Sequence, residues 1–226
     1  MVKVYPVIHF ESVQQSLFNA SIAFHADCPG VFLISMKGED DALCEAIKAV
    51  RDEYQTRGLK IGANFLTMGP VEALDRCLRL GLDAVWTDKP GVSSFGPNEE
   101  ALLIPEMLAT RPNFKFFGSV AFKYQEEEKF PAVAAKNAAG LGMIATTSGT
   151  RTGTAPDIDK ILLMKDALWP YEELALASGI SPENASLFLP YVDYFLVSTK
   201  ISEHDDSPLL SEEKLGRLMR VVHGEG

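Results

Sequence analysis

The chain has 226 residues, of which 46% are hydrophobic and 23% charged, and its formal net charge is −10. This composition excludes an intrinsically disordered chain and predicts a sizeable core. The length suits one large domain or two small ones, and the absence of a linker favours a single domain over residues 1–226. The acidic balance argues against a nucleic acid or an anionic membrane as the partner, because both favour a basic surface, but it is compatible with a small anionic ligand.

Eight short apolar segments recur along the chain and predict eight β-strands. In chain order they are Val4–Phe10, Val31–Met36, Lys60–Leu66, Ala84–Thr87, Phe114–Phe122, Met143–Thr147, Leu174–Ala177 and Tyr194–Val197. Segments that are apolar on both faces are typical of parallel sheets covered by helices. The strands are therefore predicted to be parallel.

Between the strands, apolar residues spaced three and four apart predict helices. The predicted helices are Ala42–Gln55, Val71–Leu80, Ala132–Gly140, Ile158–Leu168 and Glu212–Val222, with a short helix opened by Ser181 as N-cap and Pro182 in its first position. No Pro-, Gly- or Ser-rich linker interrupts the alternation. We therefore predict an α/β fold, a single (β/α)8 TIM barrel.

In such a barrel, chemistry collects where the strands end, because only the loops there can vary without harming the core. His9 ends the first strand and is a candidate general acid and base, or a histidine hydrogen-bonded among the loops. Asp88 is a candidate base, or a group that orients neighbouring lysines. Lys123 is a candidate catalytic lysine, and Lys37 and Asn64 are candidate substrate-binding residues at the ends of the second and third strands.

The last two predicted strands end in small, hydroxylated residues that suit a phosphate. Ser178 and Gly179 follow the seventh strand, and Ser198 and Thr199 follow the eighth. Parallel neighbours bring these two ends together, and the backbone N–H groups there suit an anion. A purely structural interpretation is also open, because Ser-Gly turns open many helices in α/β proteins.

The loop Thr146–Pro156 holds two glycines, five threonines and Arg151. Its hydroxyl groups, among them that of Thr147, and its amides suit phosphate oxygens, and Arg151 is a candidate bidentate clamp. The same residues also fit plain turn chemistry. Because the loop is long for an α/β connection and adjoins the predicted phosphate site, we favour a functional role.

The remaining signals concern location and ligands. Met1 leads within two residues into a strand and no apolar run reaches about 18 residues, so neither a signal peptide nor a membrane span is predicted. Cys28, Cys44 and Cys77 are far apart and odd in number, which predicts buried thiols in a reducing compartment. We therefore predict a cytoplasmic protein without a bound metal or other cofactor.

Three stretches between Met143 and Ser202 carry a family resemblance. They read Thr147-Ser-Gly-Thr-Arg-Thr-Gly-Thr-Ala-Pro-Asp157, Ser178-Gly-Ile-Ser-Pro-Glu-Asn184 and Val197-Ser-Thr-Lys200. On these motifs the chain resembles the BtpA/SgcQ family of (β/α)8 barrels, which is ribulose-phosphate-binding-barrel-like. The segments Gly62–Leu66 and Gly81–Val85, and a histidine at the end of the first strand, fit the same family.

The resemblance implies a fold more directly than a reaction. Some members of the family are linked to photosystem I accumulation, and others look like sugar-metabolism enzymes. The chain departs from the family in two places: Glu11-Ser-Val-Gln14 replaces a Pro-Leu-Pro-Gly run, and Ser35-Met36 replaces a Glu-Asn pair. We therefore transfer the fold and not a substrate.

Two functions follow as expectations. The first is a TIM-barrel enzyme that acts on a phosphorylated small metabolite, a sugar phosphate or a nucleotide-derived compound, by an isomerase, lyase or aldolase step. The alternative is a non-catalytic BtpA-like assembly or regulatory factor that binds a protein partner. Apolar helix faces around Phe18–Phe24 and Leu102–Leu108 make a homo-oligomer possible in either case.

Overall fold

Eight parallel strands close into a barrel in the computed structural model, which describes residues 1–205 and 207–225. The strands follow one another around the ring in chain order, and the first pairs with the last. The predicted (β/α)8 fold is confirmed. The barrel strands are β1 (Lys3–His9), β2 (Gly30–Ile34), β3 (Lys60–Asn64), β4 (Ala84–Thr87), β5 (Lys115–Ser119), β6 (Ile144–Thr147), β7 (Leu174–Ala177) and β8 (Tyr194–Val197).

A helix follows each strand. Eight α-helices lie within the described residues: α1 (Val13–His25), α2 (Asp40–Tyr54), α3 (Pro70–Arg79), α4 (Ile104–Ala109), α5 (Pro131–Gly140), α6 (Ile158–Ala167), α7 (Ala185–Phe188) and α8 (Glu212–His223). Short 3-10 helices span Gln55–Arg57, Ala101–Leu103 and Thr199–Ile201, and a small antiparallel pair joins Val92–Ser93 to Gly96–Pro97. Within the described ranges, no helix is long and apolar enough to cross a membrane.

Two of the predicted boundaries are wrong, and local geometry explains both. The strand predicted to reach Phe122 ends at Ser119, and Ala121 beyond it has a φ of 48°, which no strand residue adopts. The helix predicted to start at Pro182 begins at Ala185. There the side chain of Asn184 accepts from the amide of Ser181 and donates to the Gly179 carbonyl, so these residues form a turn before the helix starts.

The strands separate two cores because alternate residues face opposite sides of the sheet. One core lies between strands and helices and includes the three cysteines, which are buried free thiols as predicted. The other fills the barrel with aromatic rings, in which Phe117 contacts Phe32 and Tyr194 at centroid distances of 5.1 and 5.0 Å. A side chain at Gly62 would place its Cβ 2.3 Å from the ring of Phe32, so a glycine is required there.

Two aspartates tie neighbouring strands together at the end where the strands begin. Asp83 precedes β4 and accepts from the amide of Ile61 in β3 at 3.0 Å. Asp193 precedes β8 and accepts from the amide of Leu174 in β7 at 2.9 Å. Each carboxylate therefore satisfies an amide at the start of the preceding strand and fixes how the two strands are aligned.

We expect Asp193→Ala to lower the free energy of unfolding by about 1–3 kcal/mol, because it leaves the amide of the fully buried Leu174 without its acceptor. It also removes the partner of Lys165 at 3.1 Å. Urea denaturation measures the change. Asp52→Ala is the control, since its pair with Arg51 is solvent-exposed and should contribute less than about 0.5 kcal/mol. Equal losses in both variants would contradict the role of Asp193.

Candidate active site

A cleft of about 250 Å³ opens at the end of the barrel where the strands finish. Residues from the ends of β1, β2, β4, β7 and β8 and from the loops that follow the strands line it. The lining comprises Val7, His9, Ile34, Met36, Leu66, Trp86, Asp88, Lys123, Tyr124, Thr152, Ala177, Ser178, Gly179, Ile180, Leu196, Ser198, Thr199 and Lys200.

The cleft brings together all three residues predicted to be catalytic. His9 ends β1, Asp88 follows β4, and Lys123 belongs to the loop after β5, so the barrel assembles them from distant parts of the chain. Lys123 donates through Nζ to Thr152 Oγ1 at 3.2 Å. Asp88 accepts through Oδ1 from Nδ2 of Asn64 at 3.0 Å. The carboxylate and the ammonium group are each held by a neutral partner.

Burial changes the acidity of these three groups. It raises the pKa of Asp88, although the hydrogen bond from Asn64 and the charge of Lys123 oppose the change. Burial lowers the pKa of Lys123, against the attraction of Asp88. Burial and the charge of Lys123 lower the pKa of His9. Proton exchange near neutral pH therefore becomes easier for the carboxylate and the ammonium group, and the imidazole is favoured in its neutral form.

The four residues predicted to form a phosphate cradle also lie in this cleft, namely Ser178, Gly179, Ser198 and Thr199. Among the described residues, the amides of Gly179, Ile180, Ser198 and Thr199 donate to no protein acceptor. Unpaired backbone donors are uncommon at positions that are partly shielded from water. A group of them at the mouth of a cleft is a surface suited to the oxygens of an anion.

The loop after β6 rests directly on the turn after β7. The amide of Gly153 donates to Ser178 Oγ at 3.0 Å. A Cβ at Gly179 would lie 2.2 Å from backbone atoms of both Thr154 and Ala155, and its φ is 71°. Only glycine permits this approach, so the Ser-Gly pair holds the loop that covers one side of the cleft.

Four other predicted ligand-binding residues lie outside the lining of the cleft. Lys37 is exposed and pairs with Glu11 at 2.8 Å, and Arg151 is exposed and donates to Thr154 Oγ1 at 3.3 Å. Thr147 is buried and donates to the carbonyl of Ala121, while the buried Asn64 bonds to Asp88. Thr147 therefore supports the loop that carries Lys123, and Asn64 supports Asp88.

Three residues of the site region, Thr152, Tyr124 and Lys160, were not among the predicted site residues. Thr152 lies in the predicted threonine loop and bonds to Lys123 and to the hydroxyl of Tyr124. Lys160 donates to the carbonyls of Ala121 and Ser148 at 2.5 and 2.9 Å, and burial lowers its pKa to about 8. A signal for Lys160 did exist: a cation in the first turn of a helix opposes the helix dipole and needs another reason to be there.

No group of three or more potential metal ligands occurs within residues 1–205 and 207–225.

Comparisons with solved structures support the barrel. The chain is similar to 3-hexulose-6-phosphate synthase from Salmonella typhimurium (TM-score 0.72, 12% identity, 100% of both chains covered) and to phosphoribosyl anthranilate isomerase from Thermus thermophilus (0.70, 16%, 100% of both). It is also similar to thiamine phosphate pyrophosphorylase from Pyrococcus furiosus (0.67, 14%, 99% of this chain and 96% of that one). No family model and no curated protein sequence matches the chain. At these identities the likeness shows the fold alone.

We expect Gly179→Ala to lower the free energy of unfolding by about 1–3 kcal/mol, because the methyl group meets the backbone of the covering loop and the φ is left-handed. Gly140→Ala is the matched control. It lies at the end of α5 with nothing near its Cβ position, so alanine there should be neutral or stabilising by about 0.5–1 kcal/mol. Thermal and urea unfolding give both values. Similar effects of the two changes would show that the close approach at Gly179 is unimportant.

We expect Asp88→Asn to gain stability relative to the natural chain as the pH rises. The folded-state pKa of Asp88 is raised, so the unfolded chain ionises first and the folded form loses relative stability through that pH range. An asparagine cannot ionise and escapes this loss. Urea titrations between about pH 3 and pH 7 should therefore show a difference that grows with pH. A difference that stays constant would mean that Asp88 ionises equally well in both states.

Proposed function

We propose that this protein is an enzyme that acts on a small phosphorylated metabolite by moving protons, in an isomerase, lyase or aldolase type of reaction. One observation carries the proposal. Three ionisable side chains from the ends of β1, β4 and β5 line the same cleft as the unpaired amides after β7 and β8. Groups that can transfer protons and groups that can hold an anion are thus within reach of one small molecule.

The phosphate group would lie against the turns after β7 and β8. The amides of Gly179, Ile180, Ser198 and Thr199 are its proposed donors, and the hydroxyl groups of the two serines and the threonine add further ones. The names of these three proteins each include a phosphorylated compound or a phosphoribosyl group. This agreement supports the proposal through fold analogy.

Asp88 is the proposed general base. Its raised pKa makes the ionised carboxylate a better proton acceptor than an exposed aspartate. It would take a proton from a carbon next to a carbonyl group, and the electron pair would move onto the carbonyl oxygen. The ammonium group of Lys123 would stabilise the charge on that oxygen. His9, favoured in its neutral form, would accept or return a proton at a neighbouring atom.

A second candidate is a non-catalytic factor that binds a protein partner, in line with the resemblance to the BtpA/SgcQ family, which stays a prediction. The observation that favours it is Phe95, which is 97% exposed between the two strands of the small antiparallel pair. Phe18 and Leu102, on the faces predicted to be apolar, are also exposed. Exposed apolar side chains mark protein contacts when they form one contiguous surface, which this candidate requires of Phe95, Phe18 and Leu102.

We expect inorganic phosphate and small phosphorylated compounds to stabilise the natural chain and Ser198→Asn, but not Ser198→Asp. The aspartate adds a negative charge to the cradle, whereas the asparagine has the same shape without the charge. A ligand at about 100 times its dissociation constant adds roughly 2.7 kcal/mol, or about 5–10 °C in Tm for a chain of this size. Thermal-shift titrations measure the effect.

Asp88→Asn and Lys123→Met separate the two candidate functions. If the protein is an enzyme, both changes leave phosphate-dependent stabilisation in place and abolish turnover of the compound that stabilises it most. If no phosphorylated compound raises Tm, or if the two Ser198 variants respond alike, the proposed phosphate site is wrong. The next experiment would then be a search for a protein partner, with Phe95→Ser as the control variant that removes the exposed ring.

A further inference from the structure

The two sides of the cleft differ in chemistry. In a ring of eight strands β3 lies opposite β7, and β4 lies opposite β8. The proposed phosphate cradle follows β7 and β8, so the wall that faces it comes from β3 and β4 and is extended by the loop after β2. Its apolar residues are Met36, Leu66 and Trp86, which we call the apolar wall, and Asp88 follows β4 on the same side.

The apolar wall is partly open to solvent. Met36 is 62% and Leu66 38% exposed, each two residues after the end of a strand, whereas Trp86 is only 6% exposed. The indole N–H of Trp86 is already bonded to Ser119 Oγ at 2.9 Å, so this side chain presents only its ring. Covering such surface is favourable by roughly 25 cal/mol per Å². A ligand that places an apolar group here would gain affinity from it.

A chain of hydroxyl groups would fit this wall poorly. Met36 and Leu66 offer it no hydrogen bond, and Thr152 Oγ1 already has two partners in Lys123 and Tyr124. Hydroxyl groups that lose water without a new partner reduce affinity. The cleft of about 250 Å³ has room for a phosphate and one ring.

We propose that the natural ligand is a phosphate monoester that carries a single planar, largely apolar ring, aromatic or heteroaromatic. The phosphate lies in the cradle after β7 and β8, and the ring lies against the apolar wall. The chain of atoms that joins them, which would carry the carbonyl group of the proposed reaction, crosses the part of the cleft that His9, Asp88 and Lys123 line. This inference rests on the proposed phosphate site and narrows its substrate class from phosphorylated metabolites in general to ring-bearing ones.

Titration calorimetry on the full chain tests the inference with three probes: inorganic phosphate, ribose 5-phosphate and phenyl phosphate. We expect phenyl phosphate to bind roughly 10- to 100-fold more tightly than the other two, the effect of burying one ring. The double variant Met36→Gln with Leu66→Gln should lose most of this advantage and keep its affinity for inorganic phosphate within about twofold. Leu103→Gln is the control, at a leucine outside the cleft whose exposure of 53% lies between those of Leu66 and Met36, and it should change nothing.

Each outcome has one meaning. If ribose 5-phosphate binds as tightly as phenyl phosphate, or if the double variant leaves the preference intact, the ring-bearing ligand is wrong while the phosphate site stands. If none of the three probes binds, there is no phosphate site for Ser198→Asp to disrupt. Both the phosphate site and the inference that rests on it are then wrong. Circular dichroism of the double variant is the folding control. We expect a folded barrel, because both side chains are exposed and their replacement removes no core contact.

Discussion

Closure of the barrel is the constraint on which the rest of the structure depends. β1 pairs with β8 from Lys3 opposite Tyr194 to Pro6 opposite Val197, and this pairing joins the two ends of the sheet. Tyr5, Phe32, Phe117 and Tyr194 fill the interior with rings whose centroids lie 5.0–6.3 Å apart. A closed ring with a solid interior leaves only its rim for a cleft, so side chains that follow different strands must meet there.

The rim is held in an uncommon backbone conformation. Ala121, Tyr124 and Ser178 have positive φ values and lie in the loops around the cleft. Side-chain bonds support this geometry: the carbonyl of Ala121 accepts from both Thr147 and Lys160. Non-glycine residues adopt such values at a cost and usually where surrounding contacts or a function require it. These partly buried bonds thus fix the loop that carries Lys123.

The electrostatics of the cleft depend on burial more than on pairing. Asp88 and Lys123 attract one another, yet desolvation is the larger influence on both and moves their pKa values toward each other. In a surface ion pair, attraction would lower the pKa of the aspartate, raise the pKa of the lysine and keep both groups charged. Partial burial among apolar side chains such as Trp86 and Leu196 therefore gives the proposed site groups that can gain and lose protons.

The sequence by itself determined the eight strands, most of the helices and the residues that stand where strands end, because apolar periodicity and strand order are local properties that the closed barrel preserves. It also placed His9, Asp88, Lys123 and the Ser178-Gly179 turn at one rim. Only the tertiary structure decided which side chains enter the cleft. This depends on the paths of the loops. The loop after β6 packs against Gly179 and is held by short-range bonds, so Arg151 stays at the surface and Thr152 enters the lining of the cleft. Burial, and with it the pKa of each group, depends on the same three-dimensional packing, which no local pattern encodes.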